Sequence, residues 1–171
     1  ILEYIDALAD PEARAEAHRA LDAFEREAAR ASVPNDGAED LVLALSRAGI
    51  SRGILTRNSL ASVRVAMGNF TRLALGDFGV VVTREDDARP KPHPDGVHLA
   101  ARRLGVQPAE MLVVGDYVFD IAAGRAAGAH TVLLTNGGAP VHVLNAPGPG
   151  MDAEPDRTVS SLAELAAVLR L

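Results

Sequence analysis

The rhythm of hydrophobic and polar positions changes near residue 34. From Asp10 to Ser32 the chain is rich in Ala, Glu, Arg and Leu, has no glycine, and has one proline, Pro11, near its start. That pattern predicts a single long helix, because proline is tolerated in a first turn. Ile1, Leu2, Ile5 and Leu8 give a shorter helical stripe before it. The link Val33-Pro34-Asn35-Asp36-Gly37 is turn chemistry and a module boundary.

Beyond the link, short apolar runs alternate with helical segments. Runs at Gly53–Thr56, Val80–Thr83, Met111–Val114 and Thr131–Leu134 read as strands buried on both faces, with a shorter one at Arg157–Val159. Helices are predicted at Ala38–Ala48, from Ser59 to about Leu75 with Gly68 weakening it, at Pro94–Leu104, Ile121–Ala127 and Ser161–Leu169. The Gly- and Pro-rich stretch from Asn136 to Asp156 reads mostly as loop. Strand–helix alternation of this kind implies an α/β fold: a parallel sheet with right-handed crossovers and helices on both faces, hence three layers. Residues 1–33 form a separate helical module and residues 34–171 the α/β core.

Composition narrows the partners. With 171 residues, 48% of them hydrophobic, the chain can build a sizeable core. Its 23 acidic residues outnumber 17 basic ones, for a net charge of -6, and no basic patch stands out. Nucleic acid is therefore not an expected partner. No apolar run approaches the length of a membrane span, and no signal peptide is visible. The absence of cysteine rules out disulfides and thiolate metal sites, which suits a cytoplasmic setting. Lys91 is the single lysine; every other basic residue is arginine.

In open parallel sheets ligands bind beyond the carboxyl ends of the strands. The first run ends in Thr56-Arg57-Asn58-Ser59, and the third in Gly115-Asp116 with Asp120 four residues on. The loop Arg89-Pro90-Lys91-Pro92-His93-Pro94 lies between them in sequence. A hydroxyl, a lysine and two carboxylates thus share one sheet edge. Thr56 and the amides opening the next helix can donate to phosphate oxygens. Lys91 can neutralise phosphate charge. Asp116 and Asp120 offer the hard oxygen ligands that Mg²⁺ prefers. Each residue also has a plain structural reading: Thr56 as a turn or capping residue, Lys91 as a solvated charge, Asp116 as a turn aspartate and Asp120 as a helix cap. The order and placement of all of them together favour the phosphate-and-metal reading.

Leu55-Thr56-Arg57-Asn58, then Arg89-Pro90-Lys91-Pro92-His93-Pro94-Asp95, then Val113-Val114-Gly115-Asp116 with Asp120 and the Ala-Gly-Arg-Ala-Ala-Gly stretch after it, resemble the second to fourth motifs of the haloacid dehalogenase superfamily. The likeness is to its phosphoglycolate-phosphatase-like hydrolases and runs from about Pro34 to the end. It implies a Rossmann-like core with a small helical cap, of which residues 1–33 are a part. It implies a Mg²⁺-dependent phosphomonoester hydrolase acting on a small phosphorylated substrate. Thr56 and Lys91 would be catalytic, Thr56, Arg57, Asn58 and Lys91 would hold the phosphate, and Asp116 and Asp120 the metal site.

The family's first motif, Asp-x-Asp-Gly-Thr at the end of the first strand, does not occur in these residues. Asp6 and Asp10 stand four apart in helical surroundings and do not replace it. The resemblance places that strand mid-sheet, between those ending at Thr56 and Asp116. Leaving its place open would strand backbone groups at a cost comparable to a whole stability margin of about 5–15 kcal/mol. The chain also begins at Ile1 and not at methionine. The expectation is that a stretch of a few dozen residues carrying the aspartate nucleophile precedes Ile1, and that the first strand is missing from the sequence given.

Three other readings stand beside this one. A catalytically inactive binding or regulatory protein on the same scaffold is favoured by the missing nucleophile and opposed by Thr56, Lys91 and Asp116. A signalling receiver domain has its acidic pair early and its lysine late, the reverse of the order here. A nucleotide-binding domain lacks a phosphate loop, and Gly148-Pro149-Gly150 follows no strand. His93 and His98, five apart, do not share a helix face, and His18, His130 and His142 have no partner by spacing. Gly124 and Gly128 are read as a packing contact and a helix end. Nothing in the sequence fixes the oligomeric state.

Overall fold

The computed structural model describes residues 2–138 and 153–171. Two helices open the chain. α1 (Leu2–Asp6) is followed by α2 (Pro11–Ala31), whose first turn is capped by the Asp10 carboxylate accepting from the Glu12 amide, with Pro11 in the first turn. α3 (Ala38–Arg47) follows the turn at Gly37.

Strands and helices then alternate: β1 (Gly53–Leu55), α4 (Leu60–Met67), β2 (Val80–Val82), α5 (Asp95–Leu104), β3 (Leu112–Gly115), α6 (Val118–Ala127), β4 (His130–Leu134), β5 (Arg157–Val159) and α7 (Leu162–Leu169). All strand pairs are parallel. The α/β expectation therefore holds, with strands close to where the apolar runs placed them. The loop expected from Asn136 to Asp156 falls partly outside the described residues, as do His142 and Gly148-Pro149-Gly150.

Two elements depart from the sequence reading. The helix expected from Ser59 to Leu75 stops at Met67, with Gly68 as its C-cap. The chain is drawn away there. The Asn69 side chain donates to the Ala29 and Ser32 carbonyls at the end of α2, both at 2.8 Å. The Thr71 and Arg72 amides go to the Glu39 carboxylate at 2.6 and 2.8 Å. α6 in turn begins three residues earlier than expected, because Asp120 reaches back to accept from the Tyr117 amide at 3.1 Å and closes the first turn.

The sheet is divided. β1 pairs with β2, and β3 with β4 and β5, but among the described residues β1 and β3 share no ladder. The helices on one face do not follow that division. α5 packs on β1 and β2, α6 packs on β3 and β4, and α5 and α6 pack on each other. Leu55, Met111, Val113, Val97 and Ala123 form a common core under this layer. Gly124 lets α6 approach β4 closely: a Cβ there would lie 2.7 Å from the Thr131 methyl. On the opposite face Leu41 of α3 and Leu165 of α7 pack on Val132, Leu134 and Val159. Helices thus cover both faces, as three layers require.

Candidate active site

Thr56, Lys91, Asp116 and Asp120 all lie at the carboxyl ends of β1 and β3 or in the loop before α5. The Thr56 amide extends the β1–β2 ladder by bonding the Val82 carbonyl at 2.9 Å. Its hydroxyl oxygen accepts from the Asn58 amide at 3.1 Å, which fixes the loop and leaves the hydroxyl proton free to donate. The next amides are occupied: Ser59 N–H donates to Glu25 at 3.2 Å and Leu60 N–H to Glu85 at 3.0 Å. The helix-opening amides suggested by the sequence are therefore spoken for. What this loop can offer an anion is the Thr56 hydroxyl and the side chains of Arg57 and Asn58.

Lys91 is the hinge of the arrangement. Its Nζ donates to the Leu55 carbonyl at 3.1 Å and to Asp120 Oδ1 at 2.5 Å. It therefore links the end of β1 to the start of α6 across the place where the two half-sheets do not join. Both partners are largely shielded, with side chains 15% and 13% exposed, and charge-assisted bonds of this kind fix geometry well. The loop carrying Lys91 is locked by a bidentate contact: Arg89 donates from Nε and Nη2 to Asp95 at 2.6 and 3.0 Å. That bond holds the Asp95 carboxyl down at a pKa of about 2.

Asp116 is exposed beside this cluster. Asp120 has one oxygen on Lys91 and the other on the Tyr117 amide. Gly115 permits this approach, since a Cβ at that position would fall 2.2 Å from the Asp120 Cβ. Among the described residues no three His, Asp or Glu side chains gather in a way that holds a metal ion.

A cleft of about 270 Å³ opens beside Thr56 and Lys91. Leu2 and Asp6 of α1 and His18 of α2 form one wall. Arg57, Thr83, Arg84 and Arg89 contribute to the other. Asp116 and Asp120 stand outside its lining, Asp120 being joined to it through Lys91. Sequence reasoning missed this wall. His18 and Asp6, twelve residues apart, meet at 3.0 Å because α1 and α2 fold back on each other. Asp10 as N-cap and Pro11 after it were the available signal for that reversal. Arg84, just beyond β2, is clamped by Asp22 and Glu25 of α2, a contact that no local pattern announces.

A family model for haloacid dehalogenase-like hydrolases matches residues 2–128. The chain belongs to the haloacid dehalogenase-like hydrolases. Among curated relatives it is 39% identical over 137 residues to the uncharacterized hydrolase YOR131C of Saccharomyces cerevisiae, covering 80% of this chain and 62% of that protein. It is 38% identical over 98 residues to a phosphoglycolate phosphatase of Salmonella choleraesuis, covering 57% and 38%. The crystal structure of CbbY from Rhodobacter sphaeroides in complex with phosphate superposes with a TM-score of 0.74 at 27% identity, covering 96% of this chain and 71% of that one. The chain spans less than two thirds of the length of these curated relatives. Family and fold agree with the resemblance read from the sequence. No described helix of this family member is long and apolar enough to cross a membrane.

Proposed function

We propose that this chain is the greater part of a Mg²⁺-dependent phosphomonoester hydrolase acting on a small phosphorylated metabolite in the cytoplasm. The carrying observation is Lys91, a shielded cation held between Leu55 and Asp120 at the edge of a cleft that also presents the Thr56 hydroxyl. Thr56, Asn58 and Lys91 would hold the phosphoryl group, with the Arg57 guanidinium alongside. Residues 1–33 would serve as part of a cap, since α1 and α2 close one wall of the cleft. The phosphate bound in the CbbY structure and the phosphatase among the relatives support a phosphorylated substrate.

The nucleophile in this reading is an aspartate on a parallel strand that lies outside these 171 residues and fills the interval between β1 and β3. The unjoined half-sheets beneath one continuous helix layer support that placement. The aspartate would attack phosphorus, release the alcohol and leave an aspartyl-phosphate for water to hydrolyse. Asp116 fits a Mg²⁺ site in part: it is an exposed carboxylate, and Mg²⁺ needs only one or two of these alongside waters and substrate oxygens. Asp120 would steady Lys91 and border the metal site. A bound Mg²⁺ would neutralise the charge on the transferring phosphoryl group.

The test uses the complete product of the source reading frame. Phosphate release from a panel of small phosphomonoesters should require Mg²⁺, and Asp116→Asn should lower kcat/KM by ~10²-fold or more. A folded protein that binds phosphate but releases none from any substrate, with or without Mg²⁺, would replace this reading with that of a binding protein.

A further inference from the structure

Every ionisable side chain lining the cleft has a partner of opposite charge or a hydrogen-bonded one, with a single exception. Asp6 is matched by His18, Arg84 by Asp22 and Glu25, Arg89 by Asp95 and Lys91 by Asp120. Among the described residues Arg57 has no carboxylate partner. Its guanidinium carbon lies 5.5 Å from the centroid of the Phe119 ring. A cation–π contact of this kind draws on the charge of the guanidinium and leaves its N–H fork without an acceptor. That fork matches the oxygens of a carboxylate or phosphate. Arg57 is also half-buried, so an anion reaching it is less screened than one at an open surface.

The location gives this free charge a direction. Thr56, the neighbour of Arg57, and Lys91 mark the phosphate end of the cleft, while Arg84 and Arg89 on the same wall are already neutralised. Resting on the phosphatase reading above, we propose that Arg57 selects phosphomonoesters whose leaving group carries a second anionic group, a carboxylate or a second phosphate. Phe119 holds the guanidinium in place. The small volume, about 270 Å³, favours compact substrates in which the two anions are a few bonds apart.

Binding separates this from the activity itself. The complete protein, with Mg²⁺ withheld so that nothing turns over, is titrated calorimetrically with 3-phosphoglycerate and with glycerol 3-phosphate, which differ by a carboxylate against a hydroxymethyl group. A second pair, dihydroxyacetone bisphosphate and dihydroxyacetone phosphate, tells a second phosphate from a carboxylate. In at least one pair the doubly anionic member should bind about 10- to 100-fold more tightly. Arg57→Gln should bring that ratio within about twofold, and Arg57→Lys should restore part of it. Circular dichroism checks that both variants fold. Equal binding within both pairs, or a preference that survives Arg57→Gln, overturns the role of Arg57 alone. Binding of none of the four removes the phosphate site and this inference together.

Discussion

β3 and β4 pair residue for residue, with Val113 beside Thr131 and Val114 beside Val132, yet they occupy different surroundings. β4 lies between β3 and β5, and Thr131 to Leu134 are all buried. Among the described residues β3 has a neighbour on one side only, and Leu112 and Val114 are 39% and 38% exposed. Parallel neighbours present matched residues to the same face, so Val114 shares the face of Val132. Val132 packs under α3 and α7, whereas Val114 stands outside that cluster. An all-apolar strand is written for burial on both faces. β4 receives it and β3 does not, and β1, which among the described residues pairs with β2 alone, is the mirror case. The helix layer of α5 and α6 nonetheless runs unbroken over both. One layer is complete where the other is interrupted, and the interruption lies beside Lys91, at the candidate site.

Truncating one leucine in each strand tests this difference most strongly. Leu134, 5% exposed, sits in the cluster of α3, β4, β5 and α7. In urea unfolding of the complete product of the source reading frame, Leu134→Ala should cost about 2–5 kcal/mol. Leu112→Ala should cost nearly as much there if a strand fills the interval, and less than about 1 kcal/mol if the edge of β3 is open.

The same comparison shows how far the sequence could be read. Strand positions and their parallel pairing were legible because apolar runs of four residues separated by helices admit few alternatives. The site was legible where its residues stand at strand ends, as Thr56 and Asp116 do. Lys91 stood out as the single lysine. The end of α4 was not legible: Gly68 only weakens a helix, and the decisive groups, Glu39 and the end of α2, are some thirty to forty residues away in the chain. The cleft wall formed by α1 and α2 was hidden for the same reason. His18 meets Asp6, and Arg84 meets Asp22 and Glu25, only through tertiary packing. Local patterns report periodicity; they do not report which charged side chain a distant helix will bring.

Two polar ties join the halves that the sheet leaves apart, and each gives a smaller effect. The inner one is Lys91, bonded to Leu55 at the end of β1 and to Asp120 at the start of α6. Lys91→Met removes both bonds and leaves the shielded Asp120 carboxylate without its cation. The loss of a charge-assisted bond should appear as about 1.5–3 kcal/mol in the same unfolding measurement. An unchanged midpoint would mean that Lys91 does not help to hold the half-sheets together.

The outer tie is Glu39 on α3, which packs with α7 over β4 and β5. Its carboxylate accepts from the Thr71 and Arg72 amides and from Arg72 Nε at 2.9 Å, gripping the turn that leads into β2. The Arg72 amide first, then its guanidinium, bring the Glu39 pKa from an ordinary 4.5 to about 2. A carboxylate depressed on folding stabilises fully above its unfolded pKa and loses that contribution as pH falls through the folded one. Glu39 should therefore contribute above about pH 4.5 and progressively less down to pH 2. Its charged partner Arg72 is 48% exposed, so solvent and salt screen the pair and make this the smallest of the three effects. Urea midpoints taken from pH 6 to pH 2 should fall less steeply below pH 4.5 for Glu39→Gln than for the parent chain. Parallel profiles would show that the turn into β2 is held by something other than this carboxylate, leaving Lys91 and the α5–α6 layer to join the halves.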